Sequence, residues 1–431
     1  MITTDQLYHK FLECTGVSTD TRRITPDCLF VALKGANFDG NQFAGQALAA
    51  GARYAVVDDS AVAAQHPGQC LLVADGLTAL QDLARHHRQT LTIPVVGLTG
   101  SNGKTTTKEL IAAVLSKKYR TFATQGNLNN HIGVPLSVLS ITEQYETAVI
   151  EMGANHQREI ALLSSIAMPS HGMITNIGKA HLEGFGGLAG VRIGKGELYD
   201  FLAASDGTVF VNWQDATLRE MAAERSFQRL VPYWGNGEFT LIQEAPTVIF
   251  EGRQAPGVRV QTNLPGAYNF ANMAAAIAIG QYFGVSFADA CHAIADYNPT
   301  NNRSQTVVRG TNTVLLDAYN ANPSSMAAAI RQFAQMPAQR RAIIVGDMYE
   351  LGDDSEAEHA ALGKLIADCQ FDLVILAGKD TKYALPYVPK AYYFPDKFSL
   401  HNWLMDNPMT DTHVLIKGSR GMSLESVVPF I

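Results

Sequence analysis

No pair of cysteines in this sequence has C-x-x-C spacing, no stretch reaches the ~18 uninterrupted apolar residues that a membrane span needs, and basic residues are outnumbered by acidic ones. The five cysteines, at 14, 28, 70, 291 and 369, are odd in number and widely spaced. That excludes a disulfide framework and suits a reducing cytoplasm in which the thiols serve as packing residues. Residues 1–13 lack a basic region followed by an apolar one, so no secretory signal is expected. A net charge of −7 argues against a dedicated nucleic-acid binder, and any anionic ligand has to be met by local groups. Neither an internal repeat nor a low-complexity linker is visible. What is present is ordinary for a soluble globular protein: 47% hydrophobic and 17% charged residues in a chain of 431, too long for one core, so two or three domains are expected.

The most informative stretch is GLTGSNGKTTT, residues 97–107, between the apolar run Ile93-Pro94-Val95-Val96 and a helix-like segment, 108–115. Strand, glycine loop and helix in that order form a phosphate cradle. Gly100, Ser101, Asn102 and Gly103 bring the backbone close to a ligand, and the helix start offers free N–H donors. Lys104 reaches terminal phosphates as a point charge, and the hydroxyl of Thr105 or Thr106 is a ligand for Mg²⁺. Leu98 stands where the strict G-x-x-x-x-G-K-[ST] pattern has its first glycine. A glycine-rich turn without a ligand is the competing reading. A nucleotide-dependent switch is the competing function.

The chain divides into three α/β units. In residues 1–88, strands are predicted at 27–33, 54–57 and 71–73, with helices at 44–52 and from Asp75 to about residue 90. The polar clusters 18–22 and 35–40 read equally as turns or as a site. In residues 89–305, GNLNNHIGVP at 126–135 belongs in a loop or polar cleft, because three neighbouring asparagines are costly to bury. The strand 147–150 ends in Glu151, where nucleotide sites place a metal-side acid. His181 lies in a glycine-rich loop after the strand 173–177, Lys195 reads by default as a solvated charge, and Asn269 and Asn272 lie on one face of a helix. Residues 306–431 show strands at 313–316, 342–345, 373–376 and 414–416, each followed by a charged loop and a helical segment. This describes a Rossmann-like doubly wound sheet.

The motifs TGSNGKTTT, GNLNNHIGVPLSVL, IEMGANHQREI, TNIGKAHLEGFGGLAGV, KGELYD, GAYNFANMAAA, DAYNANPSSM, GDMYELGDDSE and KGSRGMSLESVV together resemble those of the Mur ligases, over nearly the whole chain. The phosphate loop is shared with folylpolyglutamate synthetases; GNLNN, DAYNANP, GDMYELG and KGSRG are the more specific. The resemblance implies an ATP-dependent amide ligase of peptidoglycan precursor synthesis, and hence of cell-wall assembly, cell shape and division. It would join D-alanyl-D-alanine to UDP-N-acetylmuramoyl-tripeptide through an acyl phosphate. A tripeptide-forming Mur ligase and a folylpolyglutamate synthetase are the alternatives within the superfamily.

The resemblance implies a first domain, 1–88, for the UDP-sugar-peptide, a central P-loop mononucleotide-binding domain, 89–305, for ATP, and a third, 306–431, for the incoming dipeptide. Lys104 would bind the β- and γ-phosphates. Thr105 and Glu151 would hold one Mg²⁺, and His181 with a carbamylated Lys195 a second. Asn269, Asn272, Arg303, Asp317 and Asn320 match positions near the adenosine and phosphates. Thr19, Asp20, Thr21, Arg22, Asn129, Asn130, Ser419 and Arg420 match substrate positions. A monomer is expected. Two residues depart from the pattern, each where histidine is usual: Tyr268 before Asn269, and Asn41 after Asp39-Gly40.

Overall fold

The structure is a computed structural model that describes residues 1–235 and 237–431. Its first unit is a parallel four-stranded sheet in the order Val17–Ser18, Leu29–Val31, Tyr54–Val57, Cys70–Leu72. The middle strands are fully apolar, as strands covered on both faces must be, and Leu29, Phe30, Val31, Val56 and Val57 are buried. Asp75 starts the helix Gly76–Thr90 by accepting a hydrogen bond from the Thr78 amide at 2.7 Å. That helix also leans on the next unit. The Arg88 guanidinium donates to the carbonyls of Ala167 and Met168 at 2.9 and 3.1 Å, and the His87 ring is 2.7 Å from the Ile141 carbonyl.

The second unit is a parallel six-stranded sheet in the order Arg229–Tyr233, Thr208–Asn212, His171–Ile174, Val95–Thr99, Thr147–Glu151, Thr121–Ala123. The strand before the phosphate loop is therefore interior, between the strand that ends in Glu151 and the strand that leads toward His181. Its five residues are buried, as is the face of Lys104–Leu115 formed by Leu110, Ile111, Val114 and Leu115. Each Val, Leu or Ile among them contributes roughly 1.5–3 kcal/mol when fully buried. Together they give the loop a rigid base. A separate antiparallel sheet, Phe239–Gln243, Ile249–Gly252 and Arg259–Gln261, packs Phe239 and Phe250 onto Phe270 of the helix Ala267–Tyr282.

The third unit is a six-stranded sheet in the order Gln305–Arg309, Asn312–Leu316, Thr412–Lys417, Arg340–Gly346, Leu373–Ala377, Tyr392–Phe394. Gln305–Arg309 is antiparallel to its neighbour and the other pairs are parallel. The last strand in the chain is inserted between the second and third, so the strand order reverses beside Leu316 and Lys417. Loops at such a reversal part and leave a crevice at the carboxyl ends of the strands.

Candidate active site

The phosphate loop is stapled in place by contacts with the rest of the protein. Gly100 has φ +143°, and a side chain there would meet the Thr175 hydroxyl at 2.0 Å; Gly103 has φ +78°, and a side chain there would meet Asn272 Oδ1 at 2.8 Å. A side chain at either position would be both crowded and strained. Ser101 Oγ donates to the Gly178 carbonyl at 3.0 Å and accepts from the Gly178 amide at 2.9 Å, while the Asn102 amide donates to Asn176 Oδ1 at 3.1 Å. Lys104 folds back over its own loop, with Nζ 2.7 Å from the Gly100 carbonyl and 3.3 Å from that of Ser101. Desolvation, opposed by Glu151 and reinforced by the charge of Arg303, holds the Lys104 pKa below the usual lysine range.

Glu151 is 1% exposed. Its Oε1 accepts from Asn129 Nδ2 at 2.8 Å and from the Thr105 hydroxyl at 3.2 Å, whereas Oε2 is buried without a hydrogen-bond partner. An orphaned buried carboxylate oxygen is costly, and a divalent cation that takes oxygen ligands relieves it. Asn130 instead spends its side-chain oxygen on the amides of Ile132 and Gly133, at 3.1 and 2.8 Å, just before the helix Gly133–Leu139.

These residues line one cleft of about 880 Å³, closed on the far side by the third unit. Ser101, Asn102, Gly103, Lys104, Thr105, Thr106, Asn129, Asn130, Glu151, His181, Asn269, Asn272, Arg303, Asp317 and Asn320 all contribute to its wall. Gly100 and Lys195 are buried behind it. Thr19, Asp20, Thr21, Arg22, Ser419 and Arg420 stand outside its lining. Asp20 and Arg22 form an exposed pair on the first unit, with Arg22 Nη2 2.8 Å from Asp20 Oδ2. The hydrogen bonds from the guanidinium, and then the Arg22 amide, lower the Asp20 pKa to about 2.

Lys195 is 0% exposed, with Nζ donating to the Ala154 carbonyl at 2.9 Å and lying 5.0 Å from the Phe185 ring centroid. Burial, and then the positive charge of Lys104, keep its pKa well below the usual lysine range. A lysine buried beside a second cation is not the solvated charge that spacing alone suggests. His181 takes a left-handed backbone, φ +54°, and its ring bonds to Glu350 of the third unit.

Other cleft residues had no role assigned from sequence. Lys417, 2% exposed, places its ammonium 2.6 Å from Asp317 Oδ2 and 3.2 Å from the Asn320 carbonyl, while Asp317 Oδ1 accepts from the Ser304 amide at 3.1 Å. Tyr319 lies flat against Arg303, 3.5 Å from guanidinium carbon to ring centroid. Their one sequence signal was position: each sits at or just past the carboxyl end of a predicted strand. Asn269 is largely self-satisfied, with Nδ2 on the Pro265 carbonyl at 2.8 Å. Tyr268 joins the cleft wall, its hydroxyl 3.2 Å from Ser304 Oγ, and burial raises its pKa. Asn41 lies elsewhere, buried between Asp39 and Asp58 at 2.7 Å from each carboxylate.

Three family models match the chain: the Mur ligase family catalytic domain over residues 13–88, the Mur ligase middle domain over 98–280, and the Mur ligase glutamate ligase domain over 302–420. A UDP-N-acetylmuramoyl-tripeptide--D-alanyl-D-alanine ligase from Escherichia coli is 38% identical, the match covering 96% of this chain and 92% of that one. The chain belongs to the Mur ligase family. Among solved structures, this Mur ligase superposes on MurF from Acinetobacter baumannii with a TM-score of 0.86 at 31% identity, covering 99% of this chain and 98% of that one. It superposes on MurF ligase from Thermotoga maritima, solved in complex with ADP, with a TM-score of 0.83 at 26% identity and 97% coverage of both. Like these Mur ligases it is built as three domains.

Proposed function

We propose that this Mur ligase joins D-alanyl-D-alanine to UDP-N-acetylmuramoyl-tripeptide, with hydrolysis of ATP to ADP and phosphate, in the synthesis of peptidoglycan precursor. The observation that carries the reading is a single cleft holding the phosphate loop, Glu151 with its orphaned oxygen, and the Arg303 and Asp317 side chains beside the third domain. In the first step the tripeptide carboxylate attacks the γ-phosphorus of ATP and ADP leaves, giving an acyl phosphate. In the second the dipeptide amine attacks the acyl carbon and phosphate leaves.

The first step brings two anions together. Even single charges ~4 Å apart repel by about 4 kcal/mol at an effective dielectric near 20. Lys104, Arg303 and the amides of residues 103–105 offset that repulsion from fixed positions, and catalysis is mostly positioning and charge stabilisation. Mg²⁺ fits the site: Thr105 and Glu151 would hold one ion, and His181 with a carbamate on Lys195 a second. Bound there, Mg²⁺ supplies neutralising positive charge to the phosphates. Asn269, Asn272 and Asn320 form the nucleoside side of the cleft. Thr19, Asp20, Thr21, Arg22, Asn129 and Asn130 serve the UDP-sugar-peptide; Ser419 and Arg420 serve the dipeptide.

The division at 1–88, 89–305 and 306–431 follows the same assignment. We propose that the enzyme acts as a monomer in the cytoplasm; among the described residues no helix is long and apolar enough to cross a membrane. The test is phosphate release from ATP with Mg²⁺ and UDP-muramoyl-tripeptide, with and without D-alanyl-D-alanine. Release that requires the dipeptide supports the reading. Slow hydrolysis indifferent to both peptides identifies a nucleotide switch instead.

A further inference from the structure

Arg303 is held with unusual care for a long, flexible side chain. Both neighbours take the left-handed backbone that non-glycine residues rarely adopt, with φ +56° at Asn302 and +48° at Ser304. Two strained residues in three persist only where surrounding bonds over-determine them. Those bonds come from the loop after Leu316: the Tyr319 amide donates to the Asn302 carbonyl at 3.2 Å, and the Ser304 amide donates to Asp317 Oδ1 at 3.1 Å. The backbone of Arg303 is thus clamped from both sides by residues 317 and 319.

The side chain is a different matter. Arg303 Nε is buried with no hydrogen-bond partner, and no carboxylate lies within ion-pair distance of the guanidinium among the described residues. What holds the guanidinium plane is the face of Tyr319, 3.5 Å from the ring centroid. The same ring has Arg420, from the loop after Lys417, 5.6 Å from its centroid, and Arg420 is anchored in turn by Glu425 at 2.7 Å. A cation against an aromatic face is attracted by the ring quadrupole, and a planar guanidinium also stacks on it, which an ammonium does not.

We propose that Tyr319 is a positioning residue: its ring, not its hydroxyl, sets the plane of Arg303 in the cleft so that the guanidinium meets the triphosphate without reorganising. The inference goes beyond the proposed function, resting on it only for the identity of the anion, and is read on nucleotide binding with no peptide present. An arginine fixed in advance loses little freedom on binding, whereas one released from its ring must be ordered at that moment.

The test is a double-mutant cycle in the full-length protein, with affinity for ATP and for inorganic tripolyphosphate measured by calorimetry in Mg²⁺ buffer and folding checked by thermal melting. Tyr319→Phe keeps the ring, and both affinities stay within about twofold of wild type. Tyr319→Leu removes the quadrupole at similar volume, and both affinities fall by about 3- to 30-fold, the range of a cation–aromatic contact. In an Arg303→Ala background the leucine substitution has no further effect, because the two residues act as one unit. Loss of ATP affinity with tripolyphosphate binding intact would place Tyr319 on the base and overturn the proposal, as would additive losses in the cycle or equal losses for Phe and Leu. Should the leucine variant not fold, Arg303→Lys makes the same point, since it keeps the charge and removes the plane. The expected loss is again about 3- to 30-fold, and wild-type affinity in that variant contradicts the assignment. Failure of ligation in the wild type would leave this binding result standing, so the two claims fail separately.

Discussion

Asn322 donates a hydrogen bond of 2.7 Å from its side-chain amide to the side-chain oxygen of Asn102, joining the third domain to the phosphate loop across 220 positions of sequence. A second contact lies beside it, from the Lys179 amide to Ser324 Oγ at 2.9 Å, and Lys179 Nζ reaches Glu358 at 2.5 Å. The loop that cradles phosphate is therefore read by the neighbouring domain as well as by its own.

Asn322 has two duties that one substitution separates. It caps the helix Pro323–Ala334 by accepting from the Ser325 amide at 2.9 Å, and it bridges to Asn102. Asn322→Ser keeps a capping oxygen and is too short to bridge. The melting temperature should stay near wild type while kcat/KM for ATP falls about 2- to 12-fold, the worth of one hydrogen bond of 0.5–1.5 kcal/mol. Equal losses of stability and activity would show that the bridge does nothing beyond the cap.

Lys104→Ala removes the ammonium that closes over the loop. Turnover should fall by at least about a hundredfold, in line with loss of one preorganised charge at a reacting oxyanion, with the fold retained. Near-normal ATP-dependent ligation would refute the role given to Lys104.

Glu151→Gln tests the orphaned oxygen. With no metal present the variant should be as stable as wild type or more so, because a buried charge has been removed. Adding ATP and Mg²⁺ should raise the melting temperature of the wild type and leave the variant nearly unmoved. A full shift in the variant would contradict the assignment of Glu151 as a metal ligand.

Lys195→Ala should abolish turnover, and short carboxylic acids should partly restore it by standing in for the carbamate. Absence of any rescue at saturating acid would count against a carbamate at Lys195.

His171 gives the fold a pH dependence that can be measured apart from catalysis. Its ring packs among Phe210, Tyr282 and Phe283, and burial, then the charge of Arg229, lower its pKa to about 4. The unfolded chain takes up this proton near pH 6.5 and the folded one only near 4, so stability falls as pH drops through that window. Between pH 7.5 and 4.5 the loss from this group should be about 2 kcal/mol, and His171→Phe should remove it. An acid limb of unchanged steepness in that variant would show that His171 does not carry it.

The strands of the second and third domains that were legible are short apolar runs ending in glycine, asparagine or a charge, whereas Thr208–Asn212 and Arg229–Tyr233 of the second domain's sheet were missed. The phosphate loop was legible because only that order of glycines, lysine and threonines leads from such a strand into a helix. Gln305–Arg309 and Tyr392–Phe394 escaped notice because edge strands need no continuous apolar run, and none of their residues is fully buried. The antiparallel sheet at 239–261 was missed for a similar reason: its strands alternate and are broken by polar turns.

Within the site, sequence reading found residues whose chemistry is declared by local context and missed those whose partner is distant. Lys417 looks like one more charge after a strand until the fold sets it 2.6 Å from Asp317, 100 residues away. Lys195 looked solvated until the helix Leu188–Ala204 buried it under Ala154 and Phe185. Burial and long-range pairing decide both, and neither is a property of spacing.

The most direct test of the account follows an oxygen atom. UDP-muramoyl-tripeptide labelled with ¹⁸O in its reacting carboxylate is ligated to D-alanyl-D-alanine by the purified enzyme with ATP and Mg²⁺, and the released phosphate is analysed by mass spectrometry. Activation through an acyl phosphate transfers one labelled oxygen to inorganic phosphate for each amide bond formed. Phosphate released without label, alongside new amide product, would contradict it.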